Sequence, residues 1–134
     1  MINHKKNIMK KLLLLVIFVT VLFGCSKNDD PNTSEVNIRL SNISEFDFQN
    51  IVVNTSTGNV NFENSKAGQM TEYKVFEKAY RYAFIELEID NETYTIQPID
   101  YVGETPLENG NYTYQITAST SKEQYGRLNL TLVE

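Results

Sequence analysis

Gly110-Asn111-Tyr112-Thr113-Tyr114-Gln115-Ile116-Thr117-Ala118 is the stretch whose period decides the fold. Tyr112, Tyr114, Ile116 and Ala118 alternate with Thr113, Gln115 and Thr117, so one face is apolar and the other polar. Successive side chains of a strand point to opposite faces, and this alternation in aromatic and β-branched residues predicts a half-buried strand. Before it, Glu108-Asn109-Gly110 reads as a turn, because Asn and Gly tolerate positive φ. After it, a polar loop with Gly126 leads to Leu128, Leu130 and Leu132 alternating with Asn129 and Thr131, a second clear strand.

Moving back along the chain, Pro98 to Glu108 is a loop, and Thr93 to Gln97 is a hairpin partner reached through the turn Asp90-Asn91-Glu92. Met70 to Ile89 contains neither Gly nor Pro, and two readings compete there. Tyr73, Phe76, Tyr80, Ala83/Phe84 and Leu87 recur at helical spacing. Against a helix, Tyr80 to Ile85 is aromatic and β-favouring, and Ile85, Leu87 and Ile89 alternate with Glu86 and Glu88. The expectation is therefore two strands, Glu72 to Glu77 and Tyr80 to Ile89. Farther back, Val60 and Phe62 follow the turn Thr57-Gly58-Asn59 as a short strand. Phe46 to Val53 reads as a strand bulged at Gln49-Asn50, and Glu35 to Leu40 as another. Some seven or eight short strands with frequent turns predict an all-β fold, a single two-layer antiparallel β-sandwich. The strand pattern resembles an immunoglobulin-like or transthyretin-like sandwich, although the Cys…Trp…Cys hallmark of true immunoglobulin domains is absent.

The N-terminus has a different character. Lys5, Lys6, Lys10 and Lys11 precede an apolar block, Leu12 to Phe23, interrupted only by Thr20. A basic region, a short apolar region and a small residue form a secretory signal. As a helix the block spans only ~18 Å, short of the ~30 Å hydrocarbon core of a bilayer. Leu22-Phe23-Gly24-Cys25 resembles the lipobox of bacterial lipoproteins, with Phe23 bulkier than the usual residue at its place. The resemblance implies that residues 1–24 are cleaved and that Cys25 carries the lipid anchor, its thiol alkylated by diacylglycerol and its new amino group acylated. Cys25 is the only cysteine, so it has no intramolecular disulfide partner. Residues 25–34 are polar and contain Pro31, which reads as a flexible tether to a domain at 35–134. Ser26 after the cysteine favours the outer membrane by the enterobacterial sorting rule. Ser26-Lys27-Asn28-Asp29-Asp30 also resembles the acidic surface-export tethers of Bacteroidetes lipoproteins, with an ordinary solvated linker as the alternative. Whether the domain faces the periplasm or the exterior stays open.

Loss of residues 1–24 leaves eight basic against 17 acidic residues, a net charge of −9. That balance opposes nucleic acid as a partner, because phosphates demand clusters of Lys and Arg. His4, the only histidine, goes with the signal. The remaining chain then lacks the residues of His-dependent triads, and with its one thiol alkylated it lacks cysteine nucleophiles and Cys/His zinc sites. No enzyme activity, cofactor or metal is expected. Candidate ligand-binding residues are the aromatic run Tyr80, Tyr82 and Phe84, expected to point outward from one strand, and Asp100, Tyr101 and Glu104 in the following loop. Exposed aromatic rings stack on sugars or on a partner's apolar surface. The competing readings are that the run is buried and that the loop is an inter-sheet crossover with a tyrosine over the edge of the core. Two functions follow: a non-catalytic binding module for glycan or protein, or a structural or assembly subunit of an envelope complex.

Overall fold

The computed structural model describes residues 35–120 and 126–134. The expected signal, the lipidated Cys25 and the tether fall in residues 1–34, outside the described residues. The described chain contains β1 (Val36–Asn42), β2 (Gln49–Asn54), β3 (Asn59–Asn61), β4 (Lys74–Phe76), β5 (Phe84–Ile89), β6 (Glu92–Ile96), β7 (Gly110–Ala118) and β8 (Leu128–Val133). They form two four-stranded sheets, ordered β4-β1-β7-β8 and β3-β2-β5-β6. The expected all-β, two-layer sandwich is therefore what forms. All pairings are antiparallel except β1 with β7, which run parallel from Val36↔Gly110 to Asn42↔Ile116. A parallel pair needs a long connection, and here that connection carries the whole of the second sheet.

The core lies between the inward faces of the sheets. Val36, Ile38, Leu40, Tyr114 and Ile116 from the first meet Ile51, Val53, Ile85, Leu87 and Ile89 from the second, none more than 4% exposed. Burial of each such side chain contributes about 1.5–3 kcal/mol. The period-two reading of β7 and β5 places these residues on the core side, as the alternation required. The β5–β6 hairpin turns through Asp90 and Asn91, both in the left-handed region (φ 52° and 64°). This is the two-residue turn whose twist matches that of paired strands.

Several expected boundaries are corrected. The strand expected over Tyr80 to Ile89 begins only at Phe84, and that over Glu72 to Glu77 shrinks to Lys74–Phe76. Between them the backbone spends its acceptors across the sandwich instead of along a ladder. The carbonyl of Lys78 accepts from Thr55 Oγ1, that of Ala79 from Leu107 N–H, and that of Tyr80 from the Tyr114 hydroxyl. The strand expected over Phe46 to Val53 is divided at the predicted bulge. Its register shifts between Gln49 and Val52, and Phe48 bonds instead to Ser65. Asn109-Gly110 makes a bend, but neither residue takes positive φ, and Gly110 opens β7.

Candidate functional site

The six candidate residues gather at one end of the sandwich, where β2 stops, β5 starts and the β6–β7 connection crosses between sheets. Tyr101, midway along that connection, is inserted between two rings of the Tyr80–Tyr82 segment. Its centroid lies 4.6 Å from Tyr80 and 5.5 Å from Tyr82, with interplanar angles of 19° and 10°. Its hydroxyl donates to the Asn54 carbonyl at 3.0 Å and accepts from the Phe84 N–H at 3.2 Å. Asn54 and Phe84 are register partners at the end of the β2–β5 ladder. One phenol oxygen thus bridges the carbonyl and N–H of that last pair and closes the ladder.

This geometry corrects the expectation of an outward row of rings on one strand. Tyr80 is only 8% exposed and precedes β5, and its ring is spent on Tyr101. Tyr82 is half-buried, one face against Tyr101, and its hydroxyl donates to the Asp100 carbonyl at 3.3 Å. Partial desolvation, with the negative charges of Glu104 and Asp100 nearby, raises the Tyr82 phenol above its ordinary value. Desolvation likewise raises Tyr101, opposed by its bond from Phe84. Both phenols therefore stay neutral at physiological pH and act as hydrogen-bonding rings. The crossover reading of the loop, with a tyrosine over the edge of the core, describes Tyr101.

Phe84 alone of the run stands on a strand's outer face. It forms part of a shallow cleft of about 410 Å³ with Asn54, Asn59, Gln97, Pro98, Ile99, Asp100 and Tyr101. The cleft is built from four segments, namely the end of β2, the starts of β3 and β5 and the loop after β6. Asn54 Nδ2 donates to Asn59 Oδ1 at 2.8 Å, which fixes the two amides against each other. Asp100 Oδ1 accepts from the Val102 N–H at 3.0 Å, and its second oxygen has no bond from a described residue. Ile99 and Val102 stand out from the loop, 100% and 87% exposed, as an apolar rim. Glu104 sits beside Tyr82 and does not line the cleft.

Sequence reasoning missed Asn54, Asn59 and Gln97. The only signal for Asn54 was its phase, opposite to the inward Ile51 and Val53 once the bulge is counted. The arrangement offers one apolar ring, several amides and a carboxylate, with no nucleophile–base pair. Among the described residues no three of His, Cys, Asp or Glu come together to hold a metal ion. No family model, no curated protein and no solved structure matches the chain.

Proposed function

We propose that this chain is a non-catalytic binding module, lipid-anchored to the outer membrane through Cys25, and that the cleft at Phe84 takes a glycan. The observation that carries the reading is the juxtaposition of the Phe84 ring with the amides of Asn54, Asn59 and Gln97 and the carboxylate of Asp100. A pyranose presents an apolar face of C–H groups and a rim of hydroxyls, which an aromatic ring and amide or carboxylate groups complement. Orientation by a few polar groups beside an apolar surface is the usual make-up of a small-molecule site. The acidic balance of the chain favours neutral or amino sugars over sulfated or uronic ones. The lipobox-like Leu22-Phe23-Gly24-Cys25 supports the anchor.

The test is binding of the full chain, in mild detergent, to an array of neutral and amino-sugar oligosaccharides, followed by calorimetry on any ligand found. Phe84→Ala is expected to weaken binding at least ~10-fold, about 1.4 kcal/mol. Its melting temperature serves as the control for folding. Undiminished binding by Phe84→Ala removes the cleft from the reading. Absence of any glycan ligand, with a stable protein co-purifying, makes the chain an assembly subunit instead.

A further inference from the structure

The Phe84 cleft occupies one end of a larger surface, the outer face of the sheet β3-β2-β5-β6. Inward Ile85, Leu87 and Ile89 fix the phase of β5, so Phe84, Glu86 and Glu88 point outward. Register then arranges the face in rows. The first is the floor of the cleft, Asn59, Asn54 and Phe84, with Gln97 beyond them. The second is Asn61, Val52, Glu86 and Thr95, and the third sets Glu88 beside Thr93. None of these residues is buried, so no described part of the chain covers the face.

Two residues of strand separate one row from the next, so the three rows extend over ~14 Å, the length of about three pyranose units in a chain. Pro98 to Tyr101 follow β6 and wall the cleft on the side away from Glu86. A ligand seated on Phe84 therefore continues in one direction, along β5 toward Glu88. Charge specifies what continues there. None of the chain's 12 basic residues lies in β2, β3, β5 or β6. Glu86 is exposed and accepts no bond from a described residue, and Glu88 commits one oxygen to Asn50 Nδ2 at 2.7 Å. The second and third rows thus present carboxylates with no cation of their own sheet beside them.

We propose that this face extends the cleft and binds a linear oligosaccharide of at least three units that carries free amino groups. The inference rests on the glycan reading of the Phe84 cleft. One unit stacks its C–H face on Phe84. The next lies over Val52 with its ammonium toward Glu86, and the third turns its ammonium toward Glu88, as charge-assisted hydrogen bonds. N-acetylation removes the cation that the two carboxylates select, and a uronic or sulfated chain meets like charge.

The full chain, in mild detergent, is titrated calorimetrically with glucosamine oligomers of one to four units and with their N-acetylated forms, in slightly acidic buffer that keeps the sugar amines protonated. Affinity is expected to climb from one unit to three and then to level off. The amino trimer is expected to bind roughly 10-fold tighter than the acetylated one at low salt, and most of that margin is expected to vanish in about 0.5 M NaCl. Glu86→Gln/Glu88→Gln keeps the side-chain shapes and is expected to bring the ratio of the two affinities to within about 2-fold, with melting temperature as the control for folding. Binding that depends on Phe84 but does not grow beyond one unit overturns this extension and spares the cleft. So does equal affinity for amino and acetylated trimers, or a preference that the double variant leaves unchanged. Absence of binding to every glycan, neutral ones included, removes the cleft reading and this inference with it.

Discussion

Tyr101 and Tyr114 use their hydroxyls as backbone surrogates, and each is the residue on which a local arrangement depends. The Tyr114 ring is fully buried in the core, and its hydroxyl satisfies the Tyr80 carbonyl. Tyr114→Phe keeps the ring and orphans that carbonyl, which is expected to cost about 1–3 kcal/mol in urea unfolding at neutral pH. The same phenol governs alkaline behaviour. Burial raises it far above its ordinary value. The folded state therefore disfavours the phenolate, so its contribution is fully present below about pH 10 and is lost as pH rises beyond that. Tyr114→Phe is expected to show a shallower decline between about pH 10 and 11 than the unsubstituted chain. Tyr101 and Tyr82 are shifted the same way in both proteins, so the difference between the two curves isolates Tyr114. Tyr101→Phe keeps the stack but unpairs the Asn54 carbonyl and the Phe84 N–H. Exchange of the Phe84 amide should accelerate while that of Leu87 stays protected, which hydrogen exchange by NMR reads directly.

Elements were legible in proportion to how far their own side chains settle them. β7, β8 and the hairpin of β5 with β6 follow from period-two alternation and turn residues, signals that need no distant partner. The hairpin turn invites its own test, because Asn91 sits at φ 64°. Asn tolerates that region and a β-branched residue does not. Asn91→Val is expected to destabilise by about 1–2 kcal/mol and Asn91→Gly to be nearly neutral, as thermal unfolding will show. Residues 77–83 were not legible. Tyr80-Arg81-Tyr82 has the composition of a strand, yet Ala79 and Ala83 are wholly buried and the carbonyls between Lys78 and Tyr80 bond to three other parts of the chain. Those partners lie at Thr55, Leu107 and Tyr114, too far along the sequence for any local pattern to announce them. The candidate site divides in the same way. Its residue types were visible in the aromatic run and the loop, but not that Tyr101 enters between Tyr80 and Tyr82, which leaves Phe84 as the free ring.

At the scale of the whole molecule, the sandwich is held by its apolar core and scarcely by ion pairs. Among the described residues two salt bridges appear, Lys74–Glu63 at 3.6 Å and Arg127–Glu92 at 2.8 Å. Such exposed pairs contribute about 0–1 kcal/mol each. The chain's formal net charge of −5 favours expansion through self-repulsion. Salt screens that repulsion, so the melting temperature is expected to rise by a few degrees, roughly 2–5 °C, between about 10 mM and 0.5 M NaCl. A fall would mean that the two pairs outweigh the net charge. What the sequence determined by itself is what adjacent residues enforce. Alternation set the inward faces of the strands, and Asp90-Asn91 set a hairpin. What the tertiary structure alone decided is which distant segments share a surface: β1 beside β7, and Tyr101 closing the β2–β5 ladder. Hydrogen bonds and ring stacks form between groups brought near by the collapse of the core, and sequence separation says little about which groups those will be.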